Sequence, residues 1–140
     1  MAETIEAELA EMIDEFDLLG AWEERYRHLI DLGKLLAPLS DAERCEDNRV
    51  RGCASQVWLV QDPASDGRLH WRGDSDAHIV RGLIAVTLQL YNNRPADAVL
   101  AFDARAGLSR LGLTEALSTQ RSNGLFSMIE RIRRDARDHG

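Results

Sequence analysis

The sequence predicts an α+β fold in which helices cover a small antiparallel β-sheet. Apolar residues recur at helical spacing before Pro38 and again after Asp76. Between those blocks, Ser55–Val60 and Arg68–Gly73 have strand character, and Asp62-Pro63-Ala64-Ser65-Asp66-Gly67 between them has strong turn chemistry. The apolar fraction of 44% and charged fraction of 29% are those of an ordinary globular chain. A length of 140 residues falls within the ~100–200 residues of one domain, so 1–140 is read as a single domain.

Taken in order, Ile5, Leu9, Met12, Ile13, Phe16 and Leu19 mark a first helix with acidic residues on its other face. Thr4 or Glu3 stands near its start, and the acidic first turns suit the positive end of the helix dipole. Gly20 interrupts. Trp22, Tyr26, Leu29, Ile30, Gly33 and Leu36 form a second stripe, with Trp22 and Tyr26 read as packing residues rather than a ligand platform. Ser40–Arg44 reads as a turn and Glu46–Asn48 as polar loop. The two strands then form a hairpin, which a third strand around Arg49 and Val50 would extend.

Gly73-Asp74-Ser75-Asp76 reads as a helix opening, because Ser and Asp accept bonds from the free amides of a first turn. The following helix, from Ile79 to Tyr91, is apolar almost all round and is predicted to be the central core element. Gly82 within it permits close approach of another backbone. Asn92–Pro95 ends it, and Pro95 begins a short helix through Leu100. Ala106–Leu111 leads through Gly112 to a short turn at Thr114–Leu117. Ser118 then caps a last helix carrying Leu125, Met128, Ile129, Ile132 and Ala136 on one face.

Net charge is −7 and the pI is near 5.0, which argues against nucleic acid as the main partner. Arg131, Arg133, Arg134 and Arg137 cluster, but Glu130, Asp135 and Asp138 interleave with them, so they read as a solvated helix face. No apolar run reaches the ~18 residues of a membrane span, and Met1 to Glu8 lacks the basic and apolar parts of a signal peptide. A cytoplasmic location is therefore expected. Two cysteines, Cys45 and Cys53, cannot build a disulfide framework, and the four histidines show no metal-ligand spacing with them.

The chemistry concentrates on Cys53. Arg49 and Arg51 precede it, and nearby cations lower a thiol's pKa. Gly52 allows unusual backbone angles, so the sulfur could swing or be closely approached. These features suit a nucleophile or sulfur carrier; the alternative is an ordinary buried cysteine at a strand start. A self-contained cysteine hydrolase needs a base and an orienting partner, and no histidine here sits in a recognisable motif. A CxxC redox pair is absent. A reactive thiol without base or metal fits group transfer, which needs thiolate character, a good leaving sulfur and access.

Arg51-Gly52-Cys53-Ala54-Ser55-Gln56-Val57-Trp58-Leu59, then Gly73-Asp74-Ser75-Asp76-Ala77 and Ile79-Val80-Arg81-Gly82-Leu83-Ile84-Ala85, resemble the SufE family of sulfur acceptors. Leu111-Gly112-Leu113, Leu117-Ser118, Arg121-Ser122-Asn123-Gly124-Leu125 and Met128-Ile129 are similar too, as is Trp22-Glu23-Glu24-Arg25-Tyr26. The resemblance implies a fold like that of the IscU-type scaffolds. It implies a non-autonomous sulfurtransferase partner that accepts sulfur from a SufS- or CsdA-type cysteine desulfurase, and stimulates it. Cys53 would carry that sulfur as a persulfide and pass it to an iron–sulfur scaffold or another acceptor. No cofactor of its own is implied, since the pyridoxal phosphate belongs to the desulfurase.

Supporting roles stay open. Asp74 and Asp76 either cap the central helix or restrain the cysteine loop. Arg121 is a helix-start residue or a contact to loop or partner. Gln56 and Trp58 belong to sheet and core, with Gln56 near enough to steady the sulfur, and Ser55 stands beside it. Cys45 is a bystander, a resolving thiol for a Cys53 persulfide, or a partner in a regulatory disulfide under oxidation. An IscU-like scaffold or metal-binding module using Cys53, Cys45 and a histidine is the competing function. Because a persulfide is easily lost to stray thiols, Cys53 is expected to tuck against the protein until a partner draws it out.

Overall fold

The structure, a computed structural model, describes residues 4–113 and 117–139. Helix α1 (Ile5–Leu19) starts at Thr4, whose side-chain oxygen accepts the Ala7 amide at 3.1 Å. Its stripe Ile5, Leu9, Met12 and Phe16 is buried. After a break at Gly20 the chain reverses into α2 (Trp22–Lys34). Trp22 and Tyr26 lie half-buried against the core with ring centroids 5.5 Å apart, which bears out packing for this pair.

Strands β1 (Val57–Ser65) and β2 (Arg68–Ser75) form the hairpin. Its turn is shorter than the sequence suggests. Only Asp66 (φ 54) and Gly67 (φ 74) leave the ladder, the two-residue geometry that matches strand twist. Asp62 and Pro63 remain in β1, and the register shifts between Asp62 and Ser65. β1 is an edge strand, so the missing N–H of Pro63 can be tolerated there. The third strand is likewise not at Arg49 and Val50. It is β3 (Arg94–Pro95), paired with β2 in the order β1-β2-β3, while Arg49 makes a single bridge to Trp58.

β2 also runs two residues past Gly73, so Asp74 and Ser75 end a strand rather than open a helix. Helix α3 (His78–Tyr91) starts after Ala77 with no side-chain cap, and neither Asp74 nor Asp76 caps it. Short helices α4 (Ala96–Ala101) and α5 (Ala104–Arg110) follow, and α6 (Thr119–His139) closes the described chain. Ser118 caps α6, its hydroxyl accepting the Arg121 amide at 3.2 Å. The turn expected at Thr114–Leu117 falls mostly on 114–116, outside the described residues.

The result is an α+β fold with α3 at its centre. Leu83, Ile84, Val86, Leu88 and Leu90 are all buried, each such side chain contributing roughly 1.5–3 kcal/mol. Packing against α2 is close enough that a Cβ on Gly82 would stand 2.1 Å from the Leu29 carbonyl oxygen. Polar bonds fix the same corner. Asp74, 4% exposed, accepts the Leu39 amide at 3.1 Å and the Ser75 amide at 2.8 Å, and pairs with Arg81 and Arg44. Arg81 in turn donates to the Gly33 and Leu36 carbonyls. A buried carboxylate bonded on both oxygens escapes the large cost of a bare buried charge. Next to this hub, Glu43 binds Arg72 at 2.6 Å, which holds the Glu43 carboxyl down at about 2.

Both the helix crossing and the Glu43 pair can be tested by denaturation. Gly82→Ala must push α2 from α3, so its denaturation midpoint should fall by the equivalent of about 1–3 kcal/mol despite better helix propensity. An unchanged midpoint would mean the crossing is looser than described. For Glu43, a folded pKa below the ordinary 4.5 gives stability that is present above 4.5 and is lost as pH falls towards about 2. The stability difference between wild type and Glu43→Gln, read from urea titrations, should shrink across that window and vanish near its lower end.

Candidate functional site: the Cys53 loop

After Leu39 the chain is held at Asp74, passes Arg44 and a 3-10 turn at Glu46–Asn48, and arrives at Arg49. The loop 50–57 is closed by a backbone bond, the Val50 amide donating to the Val57 carbonyl at 2.8 Å. Both legs are pinned. On the outgoing side, Arg131 of α6 donates to the Asp47 carbonyl at 3.0 Å and the Arg49 carbonyl at 3.3 Å. On the returning side, the Gln56 amide donates to the Asp76 carboxylate at 3.1 Å, and the Asp76 amide to the Gln56 carbonyl at 3.4 Å. Only the tip, Arg51 to Ser55, lacks such ties among the described backbone bonds.

At the tip Gly52 has φ +86, a region that side-chain-bearing residues rarely adopt. It also lies so close to α6 that a Cβ would meet the Ser127 hydroxyl at 2.6 Å. The glycine therefore does two things: it turns the chain and lets it lie down on the helix. The next side chain, Cys53, consequently points inward. Its thiol donates to the Gly124 carbonyl of α6 with Sγ 3.4 Å from the oxygen, and it is half-buried. It borders a cleft of about 370 Å³ whose apolar walls are Val57, Val80, Leu83, Leu125 and Met128.

Burial pushes the Cys53 thiol up, and Arg49 offsets this only in part. Of the two arginines expected to lower its pKa, Arg49 does act in that direction, but burial outweighs it. Arg51 is drawn away to Glu46 at 2.7 Å with its side chain 75% exposed, and Arg49 shares the same carboxylate at 3.6 Å. In the free protein, at neutral pH, the sulfur is thus held mainly as a neutral thiol. No carboxylate or imidazole hydrogen-bonds Cys53 among the described residues, and no group of three His, Cys, Asp or Glu stands ready for a metal among them. Cys45 is free and exposed.

Besides Arg49, Arg51 and Gly52, described above, the sequence-selected residues divide into three sets. Cys53, Ser55 and Arg121 line one cleft, with Ser55 half-buried and Arg121 exposed at its rim. Asp76 restrains the loop's returning leg through the Gln56 backbone, while the Gln56 side chain is exposed and the sulfur bonds the Gly124 carbonyl instead. Asp74 belongs to the hub with Arg81 and acts on the loop only through the segment it anchors. Sequence reasoning misses Arg131, which reads there as a solvated residue, as well as the contacts of Gly124 and Ser127 with the loop. Their spacing of three and four along α6 is the available signal, since it puts all three on neighbouring turns of one helix side.

The SufE model, described as an Fe-S metabolism associated domain, matches residues 10–136. An uncharacterized SufE-like protein of Rhizobium etli is 50% identical over 134 residues, covering 94% of this chain and 90% of the relative. A second uncharacterized SufE-like protein, from Rhizobium meliloti, is 46% identical over 131 residues, covering 91% and 94%. The solution structure of a hypothetical protein from Thermus thermophilus superposes with a TM-score of 0.75 over 94% of both chains. At 20% identity that likeness speaks for the fold. With its own α+β architecture and a family match across nearly its full length, the chain belongs to the SufE family.

Proposed function

We propose that this protein is a cytoplasmic sulfur acceptor and activator for a pyridoxal-phosphate-dependent cysteine desulfurase of the SufS or CsdA type. The observation that carries the reading is the state of Cys53. It is a single thiol at the tip of a loop tied at both legs, tucked into an apolar cleft, with no base bonded to it among the described residues. Such a group is half of a reaction site. Membership of a family associated with Fe–S metabolism agrees with it.

The chemistry is thiol exchange on a sulfane sulfur. The desulfurase supplies a cysteine persulfide, with the pyridoxal phosphate that cleaves cysteine on its own chain. Cys53 loses its proton in the joint site and its thiolate attacks the terminal sulfur. The partner's S–S bond breaks, its cysteine leaves as a thiolate and takes up a proton, and Cys53 becomes the persulfide. No oxidant is consumed. A second thiolate, on an iron–sulfur scaffold or other acceptor, then removes the terminal sulfur in the same way. Gly52 and the unpinned tip let the loop extend into the partner, and the apolar cleft shelters the loaded sulfur on return. Removing the proton falls to the partner, because burial in the free protein opposes it.

The test is incubation with a cysteine desulfurase and cysteine, followed by intact-mass analysis. Wild type and Cys45→Ser should each gain one sulfur that reductant removes, and Cys53→Ser should gain none. Absence of any gain on wild type under active turnover would contradict the proposal.

A further inference from the structure

Beside the Cys53 loop, with lining residues distinct from those of the apolar cleft, runs a second groove of about 620 Å³. Its walls carry Arg49, Arg51, Arg105, Arg131, Arg134 and Arg137. On α6 the lining positions 123, 126, 127, 130, 131, 134 and 137 recur three and four apart, so they form one helix face. At 1.5 Å per residue that face is about 21 Å long. Gathering arginines from the loop, α5 and α6 into one concavity runs against a chain of net charge −7. It also changes the meaning of the C-terminal arginines, which the sequence presents as interleaved with acids.

The six arginines outnumber the carboxylates beside them, Glu46, Glu130 and Asp135. Arg49 and Arg51 share one carboxylate, Glu46. Arg131 pairs with Asp135 at 3.6 Å, and Glu130 on the groove wall pairs with Arg133 at 3.9 Å. Arg105 stacks on the Phe126 ring, 3.9 Å from its centroid. Arg134 and Arg137 are exposed and have no ion-pair partner among the described residues. Like charges on one helix face repel, and an anionic counter-surface relieves that repulsion.

We propose that this groove docks an acidic surface of the sulfur donor, the cysteine desulfurase, and so sets the Cys53 loop against the donor's reacting sulfur. This rests on the sulfur-acceptor reading above. The groove shares a wall with the loop, since Ser127 lines it and would touch a Cβ on Gly52. A partner seated there lies beside the segment that must move. An acidic protein surface fits better than nucleic acid. One face of the groove's aromatic ring is already taken by Arg105, which disfavours base stacking, and the chain as a whole is acidic.

The test measures sulfur-transfer rates against acceptor concentration with the desulfurase of the same organism, at low and high salt. Arg134→Glu/Arg137→Glu is compared with Arg27→Glu/Arg110→Glu, an equal charge change at exposed positions off the groove. At low salt the groove variant should raise the KM for the acceptor about tenfold with kcat within about twofold, and the control should keep the wild-type KM. Wild-type KM should rise with salt, and the groove variant's should be nearly flat. Equal KM for groove variant and wild type overturns the inference, as does an equal loss in the control. Arginine-dependent binding of a short DNA duplex alongside an unchanged KM overturns it in favour of nucleic acid. If wild type accepts no sulfur, the acceptor reading fails and takes this one with it; sulfur gain with an unmoved KM fails the groove alone.

Discussion

The buried contact between Asp74 and Arg81 is the constraint on which the rest of the structure depends. One carboxylate at the end of β2 gathers the first turn of α3, the Leu39 backbone and Arg44. Through Arg81 it also reaches the carbonyls at the end of α2. Two stretches distant in sequence, 33–44 and 74–81, are thereby joined at one charge pair. Removing Arg81 leaves the buried Asp74 carboxylate with only the longer Arg44 contact at 3.4 Å, and losing a buried partner costs roughly 3–5 kcal/mol in comparable sites. The close α2–α3 crossing at Gly82 gives that corner its shape, and the hub directs the segment that leads to the cysteine loop.

The loop inherits its precision from that frame. Its legs are tied to α6 and to the β2–α3 corner, yet its tip is not. That division of labour suits a group that must be kept in register and still move. The electrostatics point the same way. A thiolate is the form that oxidants and stray electrophiles attack, whereas burial against the Gly124 carbonyl favours the protonated form of Cys53. The arginines that the sequence sets beside the sulfur serve other contacts, Arg51 with Glu46 and Arg49 as part of the basic groove.

Much of this is legible in the sequence where the signals are local. Thr4 and Ser118 cap the helices their positions suggest, Gly82 marks a backbone crossing, and Cys53 stands out by its neighbours. What fails is decided by distant partners. Gly73-Asp74-Ser75-Asp76 has the chemistry of a helix cap, but Asp74 finds Leu39 and Arg81, and Asp76 finds Gln56, so the strand runs on. Pro63 reads as a turn residue until β1 proves to be an edge strand. The third strand depends on which segment reaches β2, and Arg94 reaches it where Arg49 does not. Arg131 is ordinary in sequence because the carbonyls it holds lie more than eighty positions away.

On the proposed function, activation of Cys53 comes from the docked partner and not from its own arginines. Titrating the Cys53 thiolate by its ultraviolet absorbance in Cys45→Ser protein tests this most directly. Alone, the thiol should ionise above the ordinary cysteine range. In complex with a desulfurase whose reacting cysteine is replaced by serine, its ionisation should move down towards neutral pH. A thiol that ionises at or below the ordinary value in the free protein would contradict the account.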